Sequence, residues 1–209
     1  MKRQKMFYPE KFIEDQVQQL SGMIGEGKAV IPVSGGVGST VSGVLTHRAV
    51  GDRAIIVVID DGMQVGAVGD MMNFFATQNM NTRLVDASHE FSGALNGLVE
   101  PEEQRRTYRN TYFAVLGRVI QEEKAHYLVK GTTAADIAAE PKEEIEMDDD
   151  ALEQVGIRLI DPMRHGLPVI EPLRKLNRHE VLKVAKHLEL SERKPFPVVL
   201  NVIREALVK

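Results

Sequence analysis

The chain has 209 residues, of which 43% are hydrophobic and 27% are charged, a balance typical of one globular domain over residues 1–209. Its net charge is −4 and it contains no cysteine, which excludes a disulfide scaffold, a cysteine-based metal site and a thiol nucleophile in this chain. Lysine and arginine are dispersed, so no polybasic tract predicts binding to nucleic acid or to a membrane surface. No apolar run reaches the ~18 residues that a spanning helix needs, and a cytoplasmic protein is expected.

Hydrophobic patterns predict alternating helices and strands along the chain. Helical spacing predicts helices at 9–24, 40–50, 68–79, 102–124 and 178–188, the last with Asn177 as its N-cap. Short apolar runs predict strands at 28–33, 54–60, 81–86, 126–130, 158–160 and 169–173. This alternation predicts an α/β fold, a doubly wound parallel sheet of about five strands with helices on both faces. Pro32 is an irregularity in the first strand, because proline cannot donate to a central ladder.

Three segments are expected to lie outside this framework. Residues 1–8 are basic but lack a following apolar run, so they predict an N-terminal extension rather than a secretory signal. Residues 140–157 open with a dense acidic run, which favours an exposed mobile loop, with an active-site lid as the alternative. Residues 198–208 carry apolar side chains at helical spacing, which predicts a closing helix.

The strongest local signal is the glycine-rich turn Ser-Gly-Gly-Val-Gly-Ser-Thr at residues 34–40, between a predicted strand and a predicted helix. Backbone N–H groups in such a turn, together with a helix N-terminus, can hold a phosphate. The turn lacks the lysine of a Walker A loop and the spacing of a dinucleotide fingerprint. By itself it leaves two interpretations open, a phosphate loop or a tight strand–helix turn with no ligand.

The turn resembles the motif Ser-Gly-Gly-x-Asp-Ser/Thr of the N-type ATP pyrophosphatase (PP-loop) family. Within that family, the chain is most similar to the ATP-pyrophosphatase part of GMP synthetase. The resemblance covers about residues 10–197 and rests on nine segments in the same order. These segments are FIEDQV, IGEGKAVIPVSGGVGSTV, HRAVGDR, VVIDDG, LVDASHEF, ALNGLVEPEEQRR, VKGTTAADI, HGLPVIEPLRKLNRHEV and KPFP.

The resemblance implies a Rossmann-like fold of the adenine nucleotide alpha hydrolase type, with ATP and Mg²⁺ as cofactors. In the family, a carbonyl oxygen of the acceptor, XMP in GMP synthetase, attacks the α-phosphate of ATP and pyrophosphate leaves; ammonia then displaces AMP. A chain without cysteine has no glutaminase nucleophile, so ammonia is expected from solution or from a glutamine amidotransferase subunit. The oligomeric state stays open, with a homodimer as one alternative.

The resemblance also implies roles for individual residues. The nucleotide-binding positions are Val33, Ser34, Gly35, Gly36, Val37, Gly38, Ser39, Thr40, Ile59, Gly131 and Thr132. The positions expected to take part in catalysis are Asp60, Asp61, Arg105, Asp136 and Arg164.

The sequence departs from the family at positions that are expected to hold the metal ion or to neutralise phosphate charge. Gly38 replaces an aspartate that helps to hold Mg²⁺, so the metal is expected at Asp61 and Asp136, with Asp60 as a further carboxylate. Asp61 replaces a threonine, and the alternative is that it is a polar turn residue. Arg164 and His165 are the only cations where the family has a Lys-Ser-His-His-Asn run, and His165 is equally explained as a surface histidine.

These departures keep two other functions under consideration. One is a non-catalytic or regulatory adenine-nucleotide-binding protein, favoured by Gly38, by the lost Lys-Ser-His-His-Asn run and by the expected absence of the family's C-terminal dimerisation domain, which helps to bind XMP. The other is sulfur transfer, which the absence of cysteine disfavours because no thiol in the chain can carry the sulfur.

Overall fold

The computed structural model describes residues 6–63, 66–139 and 167–190. Its helices are α1 (Pro9–Ile24), α2 (Val37–Val50), α3 (Ala67–Thr77), α4 (Ser88–Leu95), α5 (Pro101–Glu123), α6 (Ala134–Ala139) and α7 (Arg178–His187). Its strands are β1 (Ala29–Pro32), β2 (Ala54–Asp60), β3 (Thr82–Asp86), β4 (Tyr127–Val129) and β5 (Val169–Ile170). None of the described helices is both long and apolar enough to cross a membrane.

The five strands form one sheet in the order β3-β2-β1-β4-β5, and every neighbouring pair is parallel. This confirms the predicted parallel sheet of about five strands. The strand order reverses direction between β1 and β4, because the chain first moves outward from β1 through β2 to β3 and then returns to the other side of β1. In open α/β sheets, ligands bind in the crevice at the carboxyl end of such a switch point.

Successive side chains of the strands point to opposite faces of the sheet and pack into two separate hydrophobic cores. Ile56 and Val58 of β2 lie in a core with α1, α2, α3 and α7, whereas Ile55 and Val57 lie in a core with α4 and α5. All four side chains are at most 2% exposed, which explains why β2 is hydrophobic throughout. Helices therefore cover both faces, as predicted.

The boundaries differ from the prediction where local chemistry outweighs periodicity. α2 begins at Val37 rather than at residue 40, because the second half of the glycine-rich turn is already the first turn of the helix. β5 ends at Ile170 rather than at residue 173, and Pro172, which has no N–H to donate, follows shortly after. The short helices α4 and α6 were not predicted. The predictions for residues 140–157, 158–160 and 198–208, and most of the 1–8 extension, lie outside the described residues.

Pro32 lies on the side of β1 that faces β4. The N–H of Val33 donates to the carbonyl of Val57 in β2, so residues 30 and 32 point the opposite way, toward β4. Because Pro32 has no N–H, the ladder between β1 and β4 ends at the Val30–Leu128 pair. This end of the ladder lies just before the glycine-rich turn, beside the switch point of the sheet.

Candidate functional site

The glycine-rich turn places the start of α2 directly after the buried strand β1. Gly35 has φ +78°, in the left-handed region that favours glycine, and Gly36 is the N-cap of α2. The first backbone bond of the helix runs from the N–H of Thr40 to the carbonyl of Gly36 (3.1 Å), so the N–H groups of residues 37–39 have no carbonyl partner in the helix. Unpaired N–H groups at the positive end of a helix dipole are the kind of group that binds an anion, and phosphate binding at this loop stays a prediction.

Hydroxyl groups hold this loop in shape. Ser39 Oγ donates to the carbonyl oxygen of Gly36 (3.1 Å) and accepts from the N–H of Ser34 (3.4 Å). Thr40 Oγ1 donates to the same Gly36 carbonyl oxygen (2.9 Å). Two of the three hydroxyls expected to contact phosphate, those of Ser39 and Thr40, are thus engaged within the loop.

Gly38 lies against the loop that follows β4. A Cβ atom on Gly38 would lie 2.5 Å from the carbonyl oxygen of Gly131, and a Cβ on Gly131 would lie 2.5 Å from the carbonyl carbon of Gly38. Neither position has room for a side chain while both backbones keep their places. The β4–α6 loop therefore occupies the space into which an aspartate at position 38 would extend.

The end of β2 forms two successive turns closed by carboxylates. Asp60 Oδ1 accepts from the N–H of Gly62 (2.9 Å), and Asp61 Oδ1 accepts from the N–H of Met63 (2.9 Å). The Asp61 side chain is buried, whereas Asp60 is partly exposed. The carbonyl of Asp60 also accepts from the N–H of Ala87, which fastens this turn to the end of β3.

The second oxygen of Asp61 binds a residue that no sequence motif singled out. Tyr108 of α5 donates its hydroxyl proton to Asp61 Oδ2 at 2.6 Å. Burial, then the hydrogen bond to Asp61, raises the pKa of Tyr108 far above its ordinary value, so the phenol is a proton donor throughout the neutral range. The helical spacing of residues 102–124 could have pointed to it, since Tyr108 lies about two helical turns before the buried Val115 and Leu116.

The segment from Gly131 to Asp136 starts α6 with a reciprocal cap. Asp136 Oδ2 accepts from both the N–H (2.8 Å) and the hydroxyl (2.7 Å) of Thr133, and Thr133 Oγ1 accepts from the N–H of Asp136 at 3.4 Å. This is the arrangement of a capping box, with aspartate in the place of the usual glutamate. Thr132 lies between this cap and the contact of Gly131 with Gly38.

Most of the expected site residues lie at the carboxyl end of the sheet. The carboxyl ends of β1, β2 and β4 carry residues 33–40, 59–61 and 131–136. The backbone N–H of Val33 is already used by Val57. Arg105 lies on α5 and pairs with Glu102 (Nε to Oε2, 3.2 Å) rather than with the glycine-rich loop. Arg164 lies outside the described residues.

The described residues do not fit a protein-held magnesium site. Position 38 has no room for a carboxylate, Asp61 already accepts from Tyr108 and Met63, and Asp136 is engaged with Thr133. Within residues 6–63, 66–139 and 167–190, no three histidine, aspartate or glutamate side chains come together as a metal site would need. The assignment of the metal to Asp61 and Asp136 stays a prediction.

Comparison with known proteins identifies the relatives of this chain. It is 40% identical over 198 residues to a subunit of glutamine-hydrolyzing GMP synthase from Methanopyrus kandleri, covering 92% of this chain and 60% of that protein. The same subunit from Archaeoglobus fulgidus is 37% identical over 193 residues, covering 90% and 61%. The chain is a homologue of this GMP synthase subunit. This confirms the resemblance to the ATP-pyrophosphatase part of GMP synthetase, and the homology spans about three fifths of the relatives' length. No family model matches the chain.

Solved structures confirm the fold of this GMP synthase homologue. NH3-dependent NAD synthetase from Campylobacter jejuni superimposes with a TM-score of 0.68 at 13% identity, over 90% of this chain and 76% of that one. NMN synthetase from Francisella tularensis gives 0.65 at 14% identity, over 90% and 73%. At these identities the likeness shows the fold alone, an adenine nucleotide alpha hydrolase-like fold.

Proposed function

We propose that the chain is the ATP-activating part of a GMP-synthase-type ligase, which prepares a carbonyl group of XMP or a similar acceptor for amidation. The observation that supports it most is the homology to GMP synthase subunits over nine tenths of the chain. The position of the glycine-rich loop agrees with this proposal, since the loop follows the carboxyl end of β1, beside the switch point of the sheet.

The proposed reaction has two displacement steps. The carbonyl oxygen of the acceptor attacks the α-phosphorus of ATP, the bond from that phosphorus to the bridging oxygen breaks, and pyrophosphate leaves. Ammonia then attacks the activated carbon, the carbon–oxygen bond to AMP breaks, and the proton lost by nitrogen passes to solvent. Each step exchanges one bond for another and needs no redox partner.

In this proposal the chain mainly binds and orients the nucleotide. The N–H groups of residues 37–39 and the dipole of α2 hold the β- and γ-phosphates, where negative charge accumulates as pyrophosphate leaves. The end of β2 at Ile59–Asp60, where the 60–63 turn begins, borders the adenosine, and Arg105 and Arg164 supply positive charge. Magnesium is expected to arrive on the phosphates of ATP, because the described residues form no site for it.

The nitrogen in this proposal comes from outside the chain. The sequence contains no cysteine to open glutamine, so ammonia is free or comes from a glutamine amidotransferase subunit. ATP, AMP and the acceptor are the small-molecule partners that the reaction needs, and a cytoplasmic location gives access to all of them. A homodimer is a further expectation that size measurements in solution can check.

Pyrophosphate release with ATP, XMP, ammonium and Mg²⁺ tests the proposal. The sharpest variant is Val37→Pro, because proline is favoured at the first position of a helix and the extended Gly36 accepts a following proline, yet the change deletes one loop N–H. The matched control is Arg178→Pro at the first position of α7, after the extended Asn177. We expect Val37→Pro to raise the KM for ATP at least tenfold, whereas Arg178→Pro keeps the wild-type value.

Three results would count against the proposal. Absence of pyrophosphate and AMP with every acceptor, while ATP still binds, would instead support the non-catalytic nucleotide-binding alternative. Equal behaviour of Val37→Pro and Arg178→Pro would show that the loop does not hold the phosphates. Turnover with glutamine alone, in purified chain, would refute the external source of ammonia.

A further inference from the structure

The hydrogen bond between Tyr108 and Asp61 connects helix α5 to the end of β2. The two residues are 47 positions apart in sequence, and their side chains meet at 2.6 Å with both residues under 5% exposed. A buried carboxylate is unfavourable unless donors satisfy it, and Asp61 has two, the Tyr108 hydroxyl and the N–H of Met63. The carboxylate is therefore held in one orientation.

Tyr108 is itself fixed by the core beneath α5. Its ring packs on Phe91 with the ring centroids 4.7 Å apart, and Phe91 is fully buried. α4, which carries Phe91, begins at Ser88, and a Cβ on Gly62 would meet the Cβ of Ser88 at 2.9 Å. The turn at residues 60–63 thus contacts α5 through Asp61 and the start of α4 through Gly62.

We propose that Tyr108 is a positioning residue that acts through Asp61 to fix the 60–63 turn in the conformation that receives the adenosine of the nucleotide. This inference rests on the proposed function, which places that turn beside the adenosine. Asp61 then orients the turn and does not bind a metal ion. Tyr108 touches no reacting atom, and its contribution is that the binding-competent turn is already formed before the nucleotide arrives.

Loss of this hydrogen bond should weaken nucleotide binding, because the 60–63 turn would then adopt its binding conformation for a smaller fraction of the time. If the turn adopts its binding conformation one tenth of the time, the apparent dissociation constant rises about tenfold. Tyr108→Phe makes the smallest change that tests this, because it removes only the hydroxyl and keeps the ring that packs on Phe91.

The chain offers a matched control one helical turn away. Tyr112 lies on the same helix and is half-buried, and its hydroxyl makes no hydrogen bond to Asp61 or to any other described residue. Tyr112→Phe therefore removes the same atom from the same helix without releasing Asp61. Both variants, and the wild type, are titrated calorimetrically with AMP and with ATP in the presence of EDTA and then of Mg²⁺.

We expect Tyr108→Phe to raise the dissociation constant for AMP and ATP about tenfold in EDTA and in Mg²⁺ alike, while Tyr112→Phe stays within twofold of wild type. In turnover, KM for ATP rises and kcat changes little, a split that a general loss of folded protein would not produce. Asp61→Asn keeps an acceptor oxygen and should lose less, and adding it to Tyr108→Phe should not multiply the two effects.

The outcomes separate this inference from the proposed function. Wild type that binds neither AMP nor ATP refutes the proposed function and this inference with it. Wild type that binds, with Tyr108→Phe indistinguishable from Tyr112→Phe, refutes the inference alone. A loss in Asp61→Asn that occurs only in the presence of Mg²⁺ would make Asp61 a metal ligand and also refute it. If Tyr108→Phe does not fold, Asp61→Asn and its dependence on Mg²⁺ decide the question.

Discussion

Replacing Gly38 by alanine tests the closest backbone contact in the site. The new Cβ would lie 2.5 Å from the carbonyl oxygen of Gly131, whereas real Cβ atoms essentially never approach closer than 3.0 Å. The two loops must therefore separate by about 0.5 Å or more. The nearest atom is a backbone oxygen, which cannot rotate away as the end of a side chain can.

The magnitude follows from two opposing effects. Overpacking of this kind typically destabilises by about 1–3 kcal/mol. Alanine in a helix is better than glycine by up to about 1 kcal/mol, which offsets part of the loss because position 38 lies in the first turn of α2. We expect Gly38→Ala to lower the free energy of unfolding by about 1–2 kcal/mol.

Urea denaturation measures this difference, and Gly69→Ala is the matched control. Gly69 lies in α3, and a Cβ there would have no neighbour within 4 Å, so this variant gains helix propensity without a clash. It should be more stable than wild type by up to about 1 kcal/mol. If Gly38→Ala is as stable as Gly69→Ala, the contact between positions 38 and 131 does not exist as described. Gly38→Asp should be no better tolerated and should not raise activity.

Three further predictions concern other parts of the fold. Asn177→Ala removes the cap that accepts from the N–H of Glu180, and chemical denaturation should show a loss of about 1 kcal/mol. Arg109→Met should leave the stability unchanged or raise it, because the buried Nε of Arg109 has no hydrogen-bond partner and burial lowers its pKa; a clear loss would reveal an ion pair. The pKa values of Tyr108 and Tyr112 are raised, so both phenols stay protonated in the folded chain at pH 10. Their contribution to the free energy of unfolding is therefore complete below pH 10 and is lost at more alkaline pH. Ultraviolet difference spectra of each Tyr→Phe variant should therefore match wild type near pH 10, and a smaller tyrosinate signal in either variant would contradict this.

The sequence patterns predicted the central strand of the sheet because that strand is buried on both faces. β2 is apolar at every position from Ala54 to Ile59, which is typical of a central parallel strand, and the structure places it between β1 and β3. α1 was predicted with its observed bounds because its apolar stripe is regular. α4 was missed because only Phe91 of its eight residues is buried, which leaves no periodicity to read.

The candidate site was predictable only in its local part. The glycine-rich turn carries its own signal, since a strand, several glycines and a helix start follow one another in sequence. The Gly38–Gly131 and Tyr108–Asp61 contacts join distant segments, and no pattern within either segment reveals them. Asp61 shows the consequence, because its residue type fits a metal ligand or a turn equally well until its partner on α5 is known.

The order of the strands has a consequence for how the chain is made. β1 can pair with β2 as soon as residue 60 has left the ribosome, but its other edge waits for β4; Lys28 and His126, which meet at the start of that pairing, are 98 residues apart. During that interval the free edge of β1 is open to other nascent chains. Pro32 occupies this edge and removes one donor from it, so the residue that ends the β1–β4 ladder in the finished fold also protects the unfinished one.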